Sequence, residues 1–188
     1  EHGQNNSDEF NVLEPNRNYG WPTVQGFCNT NNEVNYCSAN NVKEPLLEWS
    51  PCRAVNGLEY YNHPAIPEWQ GTILMAVLGG LNSNYERLSV IHLSADGLTA
   101  TCNDAADTYF QVFNQRIRDL CVNPNTGALY VALNGANYPG QGPNIIKEFR
   151  NLDYGTISSP ELKKSQSVEL FPNPVQDQLT LQLSPTLI

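Results

Sequence analysis

Histidine is scarce in this chain, three in 188 residues, and methionine occurs once. None of the five cysteines forms a CxxC pair. Both absences argue against a zinc site. Basic residues are few as well: ten Lys and Arg stand against nineteen Asp and Glu, a formal net charge of -9. Such a surface repels phosphate backbones, so no nucleic-acid partner is expected. No apolar run approaches bilayer length, and no membrane span is expected either. Helical periodicity is almost absent. There is no initiator Met and no signal peptide ahead of Glu1, as in an exported protein whose leader has been removed.

What is present is β-like. Hydrophobic residues make up 40% of the chain, enough for a core. Short apolar or alternating runs recur between Gly, Pro, Asn and Asp clusters. The first set is Gly57 to Tyr61, Thr72 to Leu78, Arg87 to Leu93 and Tyr109 to Phe113. These predict one four-stranded sheet. Arg118 to Val122, Ala128 to Leu133 and Ile145 to Phe149 begin another. Ile73, Met75 and Val77 should share one face of their strand, with Leu74, Ala76 and Leu78 on the other. Repeated four-stranded antiparallel units describe a β-propeller, though a sandwich reads similarly.

The domain reading is residues 1–150 as propeller, 151–166 as a polar linker carrying Ser158-Ser159-Pro160 and Lys163-Lys164, and 167–188 as the start of a small β domain. Leu179 to Leu183 alternates like a strand, and the chain stops five residues later. A terminal strand needs a partner, so the sequence reads as a fragment. Scattered cysteines in an acidic, Asn-rich chain fit an oxidising compartment. Cys28 and Cys37 flank a polar loop and are the first choice for a bridge. Cys102 with Cys121 is the second, leaving Cys52 unpaired or partnered elsewhere.

Glu1 to Asn11 is rich in carboxylates and amides around a glycine. That chemistry suits a hard cation such as calcium, and equally a solvated turn. Glu-x-Gly-x-(x)4-Glu-x-Asn from Glu1, followed by Asn18-Tyr19-Gly20-Trp21-Pro22, resembles the soluble pyrroloquinoline-quinone (PQQ)-dependent glucose/sorbosone, or aldose sugar, dehydrogenases. Arg116-Ile117-Arg118-Asp119-Leu120, leading into Gly127 to Val131, matches that family's Arg-x-Arg-Asp segment. The resemblance spans Glu1 to Phe149 and implies the C-terminal part of a six-bladed all-β propeller with four-stranded blades. It places calcium that clamps the quinone on the carbonyls of Gly3 and Gln4, where the family has Gly-Pro. It places a further calcium on Glu9 and Tyr19. It assigns Arg116 and Arg118 to the cofactor, since guanidinium groups grip carboxylates bidentately.

The family's Lys falls near Gly79, so that cation is absent here. The family's catalytic His lies upstream of residue 1, which makes His63 and His92 structural. His2 adjoins the implied calcium carbonyl without being the base. The implied activity is oxidation of an aldose at C1 by a PQQ- and calcium-dependent enzyme, with this fragment alone inactive. A non-catalytic propeller binding carbohydrate or protein is the alternative, and a calcium-stiffened surface adhesin a third. Leu170-Phe171-Pro172-Asn173-Pro174-Val175, with Asp177 and Leu179-Thr180-Leu181, resembles the start of the C-terminal sorting domain of the type IX (Por) secretion system of Bacteroidetes. That resemblance implies a secreted or cell-surface protein exported through the periplasm, with the secretion machinery as partner.

Overall fold

The computed structural model describes residues 1–80, 85–135, 142–155, 168–171 and 180–183. Two compact units emerge, Glu1–Asn151 and Leu152–Ile188.

The first unit is built on antiparallel sheets. β1 (Asp8–Phe10) pairs with β2 (Leu47–Trp49). The central sheet runs β3 (Val55–Tyr61), β4 (Thr72–Leu78), β5 (Glu86–Leu93). Its outer edge is shared by the short β6 (Ala100–Thr101) and β7 (Thr108–Tyr109), both paired with β5. The next sheet is β8 (Ile117–Val122), β9 (Leu129–Asn134) and β10 (Asn144–Phe149). β3 and β8, the leading strands of the two sheets, lie side by side.

β4 is apolar at nearly every position because both its faces are covered. Leu74 and Ala76 join Leu88, Val90, Ile117, Leu129 and Val131 in the core between the two sheets. Met75 and Val77 join Ile91 and Trp49 on the other side, with Ile73 packed against them. Burying each such side chain contributes about 1.5–3 kcal/mol. The period-two expectation for β4 is met.

Helix content is low, as expected: the described residues hold α1 (Asn31–Ala39), which Thr30 starts with a capping box, where Thr30 Oγ1 accepts the Glu33 N–H (3.3 Å) and Glu33 Oε2 accepts the Thr30 N–H (2.8 Å). The helix buries no side chain, and Val34 is 50% exposed. The Cys28–Cys37 disulfide ties it down, as expected from the flanking loop. The strand expected over Tyr109 to Phe113 ends at Tyr109. Left-handed Phe110 and Asn114 bracket a 3-10 turn at Gln111–Phe113. That turn stacks Phe110 on Phe149, centroids 4.2 Å apart, so the apolar run serves an aromatic cluster.

A second expectation to be corrected, after that strand, is the Cys102–Cys121 bridge, because Cys52, Cys102 and Cys121 are all free thiols. Cys102 packs on the Trp49 side of the central sheet, whereas Cys121 lies on β8 beyond its opposite face. The sheet stands between them.

In the second unit β11 (Val168–Phe171) pairs with β12 (Thr180–Leu183), Val168 opposite Leu183. Residues 156–166 of the expected linker, and Pro172 to Leu179 of the sorting-domain motif, lie outside the described residues.

Candidate functional site

Segment 1–8 folds back on itself around one carboxylate. Asp8, 0% exposed, accepts the Gly3 N–H on Oδ1 (2.8 Å) and the Arg53 N–H on Oδ2 (2.6 Å), with the Val55 N–H at 3.4 Å. The Asn5 carbonyl accepts the Cys52 N–H at 2.9 Å. Position 3 admits only glycine: a Cβ there would lie 2.1 Å from the Asn6 carbonyl oxygen and 2.8 Å from Cys52 Sγ. The Gly3-Gln4 peptide is thus pinned beside the start of β3.

A cavity of about 300 Å³ opens at this point, lined by His2, Gln4, Pro51, Cys52, Gly80 and Tyr85 among others. That volume is at the small end for a ligand pocket. Burial, and then the Asp8 carboxylate beside it, push the Cys52 thiol up to about 12, so Cys52 remains a protonated wall. Arg53 grips Asp104 through two bonds (2.7 and 2.6 Å). Arg53 and the buried Arg87 each stand 5.2 Å from the Tyr85 ring centroid, a cation–π arrangement that fixes one cavity wall. Where the family's Lys would fall, Gly79 takes φ +94 and donates its N–H to the Arg53 carbonyl (2.9 Å). Lysine rarely adopts that backbone conformation.

Arg116 and Arg118 reach the same end of the sheets. β3 begins there, β4 ends and β5 begins, with Val55 opposite Val77 and Leu78 opposite Glu86. The Arg116 N–H donates to the Gly135 carbonyl at the end of β9 (3.0 Å). Asn56, one residue into β3, donates its side-chain amide to the Arg118 carbonyl. Gly3, Cys52, Asn56 and Arg118 are therefore linked step by step.

The two arginines differ in setting. β8 has a bulge: Ile117 faces Leu133 and Asp119 faces Ala132, leaving Arg118 as the extra residue. Simple alternation fails there. Arg118 is exposed, and its Nη2 donates to Asn134 Oδ1 (3.1 Å). Asn134 donates its own N–H to the Arg116 carbonyl (2.9 Å), so one residue of β9 bonds both arginines. Glu86, 3% exposed at the head of β5, is held above the usual carboxylate range by burial, and the positive charge of Arg116 opposes that rise.

Glu9 lines a second cavity together with Glu1, His2 and Val55. Glu9 Oε1 accepts the Gly26 N–H (2.6 Å) and Oε2 the Asn11 amide (2.9 Å). The Tyr19 hydroxyl donates to the Val12 carbonyl (2.9 Å) and accepts the Glu14 N–H (2.7 Å). The loop leading out of Tyr19 returns to Glu9 through Gly26, so both residues serve one loop. Among the described residues no three His, Cys, Asp or Glu side chains converge as a metal cage.

Asp8, Arg53, Tyr85 and Asp104 are the residues that sequence reasoning missed. Asp8 was lost among the acidic and amide side chains of the first ten residues. The others carry no local motif, since their roles depend on strands brought together by folding.

The family model described as Glucose / Sorbosone dehydrogenase matches residues 1–141. An uncharacterised protein of Synechocystis sp. is 34% identical over 134 residues, 70% of this chain and 30% of that protein. The aldose sugar dehydrogenase YliI of Escherichia coli is 28% identical over 135 residues, 70% of this chain and 33% of its own length. The chain thus spans about a third of the length of the curated relatives it matches. The crystal structure of the soluble aldose sugar dehydrogenase from Escherichia coli, in the apo-form, superposes with a TM-score of 0.56 at 26% identity, over 71% of this chain and 36% of that one. A glucose dehydrogenase structure shares the fold at 21% identity and a TM-score of 0.53. The antiparallel sheets are part of a β-propeller. With the match running from residue 1 through β9, the chain belongs to the glucose/sorbosone dehydrogenase family.

Proposed function

We propose that this chain is the cofactor-clamping part of a PQQ- and calcium-dependent aldose dehydrogenase. One observation supports the reading: the backbone of Gly3, fastened through Asp8 to the start of β3, and that of Arg118, bonded by Asn56 one residue into the same strand, lie at the same end of the sheets although more than a hundred residues apart. The residues fit such a group. The Gly3 cradle excludes any side chain, leaving backbone oxygens for a hard cation. Two guanidinium groups nearby suit a ligand bearing several carboxylates.

Held by Gly3-Gln4, Arg116 and Arg118, the quinone would supply a two-electron acceptor for oxidation of the sugar, and calcium a Lewis acid. Asp8 holds the Gly3-Gln4 peptide rigid. Arg118 orients the ligand from the exposed side of β8, Arg116 from the partly buried side. Tyr85, fixed by Arg53 and Arg87, closes the cavity wall. The base that takes the sugar's hydroxyl proton is a His contributed from outside this chain. Glycine at position 79 in place of the family's Lys favours one second reading, a propeller that binds carbohydrate or protein without turnover.

The parent protein is read as exported through the periplasm by the type IX system, to which residues 167–188 would be the address. The Cys28–Cys37 bridge supports passage through an oxidising compartment.

The test is dye reduction by aldoses with the full-length protein, calcium and PQQ, together with PQQ titration of Arg118→Ala. Losing one charged hydrogen bond, worth about 1.5–3 kcal/mol, should weaken PQQ binding roughly 10- to 150-fold. Full-length protein that binds no PQQ would overturn the dehydrogenase reading.

A further inference from the structure

Asp104 takes no part in the proposed chemistry, yet its one carboxylate serves two cations. It stands in the turn between β6 and β7, where the Asn103 carbonyl accepts the Ala106 and Asp107 N–H groups (3.0 and 2.7 Å) and Asp107 Oδ2 accepts the Asn103 N–H (2.6 Å). From that held turn Asp104 takes the two Arg53 bonds, and its Oδ1 lies 3.9 Å from Arg87 Nη1. Both guanidinium side chains are largely covered, whereas Asp104 is half exposed. Covered like charges repel unless an anion compensates them. The ring beside both cations is a cavity wall. The guanidinium carbons of Arg53 and Arg87 each lie 5.2 Å from the Tyr85 centroid, and Arg87 Nε donates to the Tyr85 carbonyl (3.2 Å). Tyr85 packs against the cluster of Trp49, Met75, Val77 and Ile91, and lines the cavity together with Cys52 and Gln4. Arg53 serves the Gly3-Gln4 wall as well, since its backbone N–H bonds the Asp8 carboxylate that fastens Gly3.

We propose that Asp104 is a positioning residue for this cavity: by pairing with Arg53 and Arg87 together, it fixes the Tyr85 ring as the wall on which a planar ligand stacks. The inference rests on the reading above, which makes that ligand PQQ, whose fused rings are flat. A ring wall favours a flat ligand most when it is already held still, because ordering it on binding would offset the contact. Asp104 does that ordering in advance and from outside the cavity, through two cation–π contacts. Asparagine at this position keeps the size and one acceptor oxygen but removes the charge. Arg53 and Arg87 then lose their common partner, and Tyr85 its fixed setting.

The experiment is calorimetric titration of PQQ into the calcium-loaded full-length protein, with wild type, Asp104→Asn, Tyr85→Leu and the double variant. Asp104→Asn should weaken PQQ binding about 3- to 10-fold. In the Tyr85→Leu background the same substitution should change affinity less than about twofold, because the wall it acts on is gone. Tyr85→Phe keeps the ring and should keep the full Asp104 effect. Unchanged or tighter binding by Asp104→Asn overturns the inference. So does an equal loss with and without the Tyr85 ring, which would mean that Asp104 acts by another route. In both outcomes wild type still binds PQQ and the dehydrogenase reading stands. No PQQ binding by wild type overturns both. The ligand-free protein gives an independent measure, since Cys52 lines the same cavity. Asp104→Asn should speed alkylation of Cys52 relative to that of the exposed Cys121 by about threefold or more. An unchanged ratio overturns the inference.

Discussion

The Gly3 amide and the Asp8 carboxylate meet at 2.8 Å, and through that contact a five-residue loop is fastened to the start of β3. Asp8 receives two further backbone N–H groups, from Arg53 and Val55, and has no access to water. Asp8→Ala strands buried donors, each costing about 1–3 kcal/mol. A loss of roughly 2–5 kcal/mol is expected in urea unfolding. A loss under about 1 kcal/mol would show that the loop is held by something else.

A second prediction concerns acid. The hydrogen bonds from Arg53 hold the Asp104 carboxyl below its usual range. A carboxyl lowered on folding contributes stability that is present above its unfolded pKa, about 3.9, and lost as pH falls through its lower folded value. Asp104 is 47% exposed, so solvent screens the pair and its contribution stays below about 1 kcal/mol. Thermal unfolding of Asp104→Asn below about pH 4 should fall less steeply than that of wild type. Superimposable slopes would remove Asp104 from the acid response.

The thiols differ in reactivity for a physical reason. Burial pushes Cys52 up to about 12 and Cys102 up to about 11, while Cys121 is exposed. Alkylation near neutral pH, followed by mass spectrometry, should label Cys121 first and the other two far more slowly. Cys28 and Cys37 should resist until reduced. Equal early labelling of Cys52 would contradict its place in the cavity wall.

How much was legible follows from where each signal resides. β4 and β5 could be read directly, because period-two burial on both faces leaves a near-continuous apolar run, Thr72–Leu78. α1 has no apolar stripe to read; its signal was the Thr30-x-x-Glu33 spacing, a capping box in a polar stretch. Phe110 to Phe113 satisfied strand alternation, but those rings are spent on stacking with Phe149. At the site, motif spacing singled out Gly3 and both arginines as candidates. It could not show that Arg118 is an inserted residue, since a bulge is defined by the register of β9. Nor could it find Asp8 or Asp104, whose partners lie far off in the chain.

The bond from Asn56 to the Arg118 carbonyl joins two irregular places, because β3 also slips register between Val55 and Leu58. Two neighbouring sheets are thereby keyed to each other at matching notches. A strand in a regular ladder can slide by two residues and keep its faces, but a notched strand engaged with its neighbour cannot. Lengthening β3 by two residues near Asn56 would move the Arg118 carbonyl out of step with it, unless β8 were lengthened too. The spacing between the arginines and the Gly3 loop is therefore set as a length standard shared by two strands, and the two can change only together.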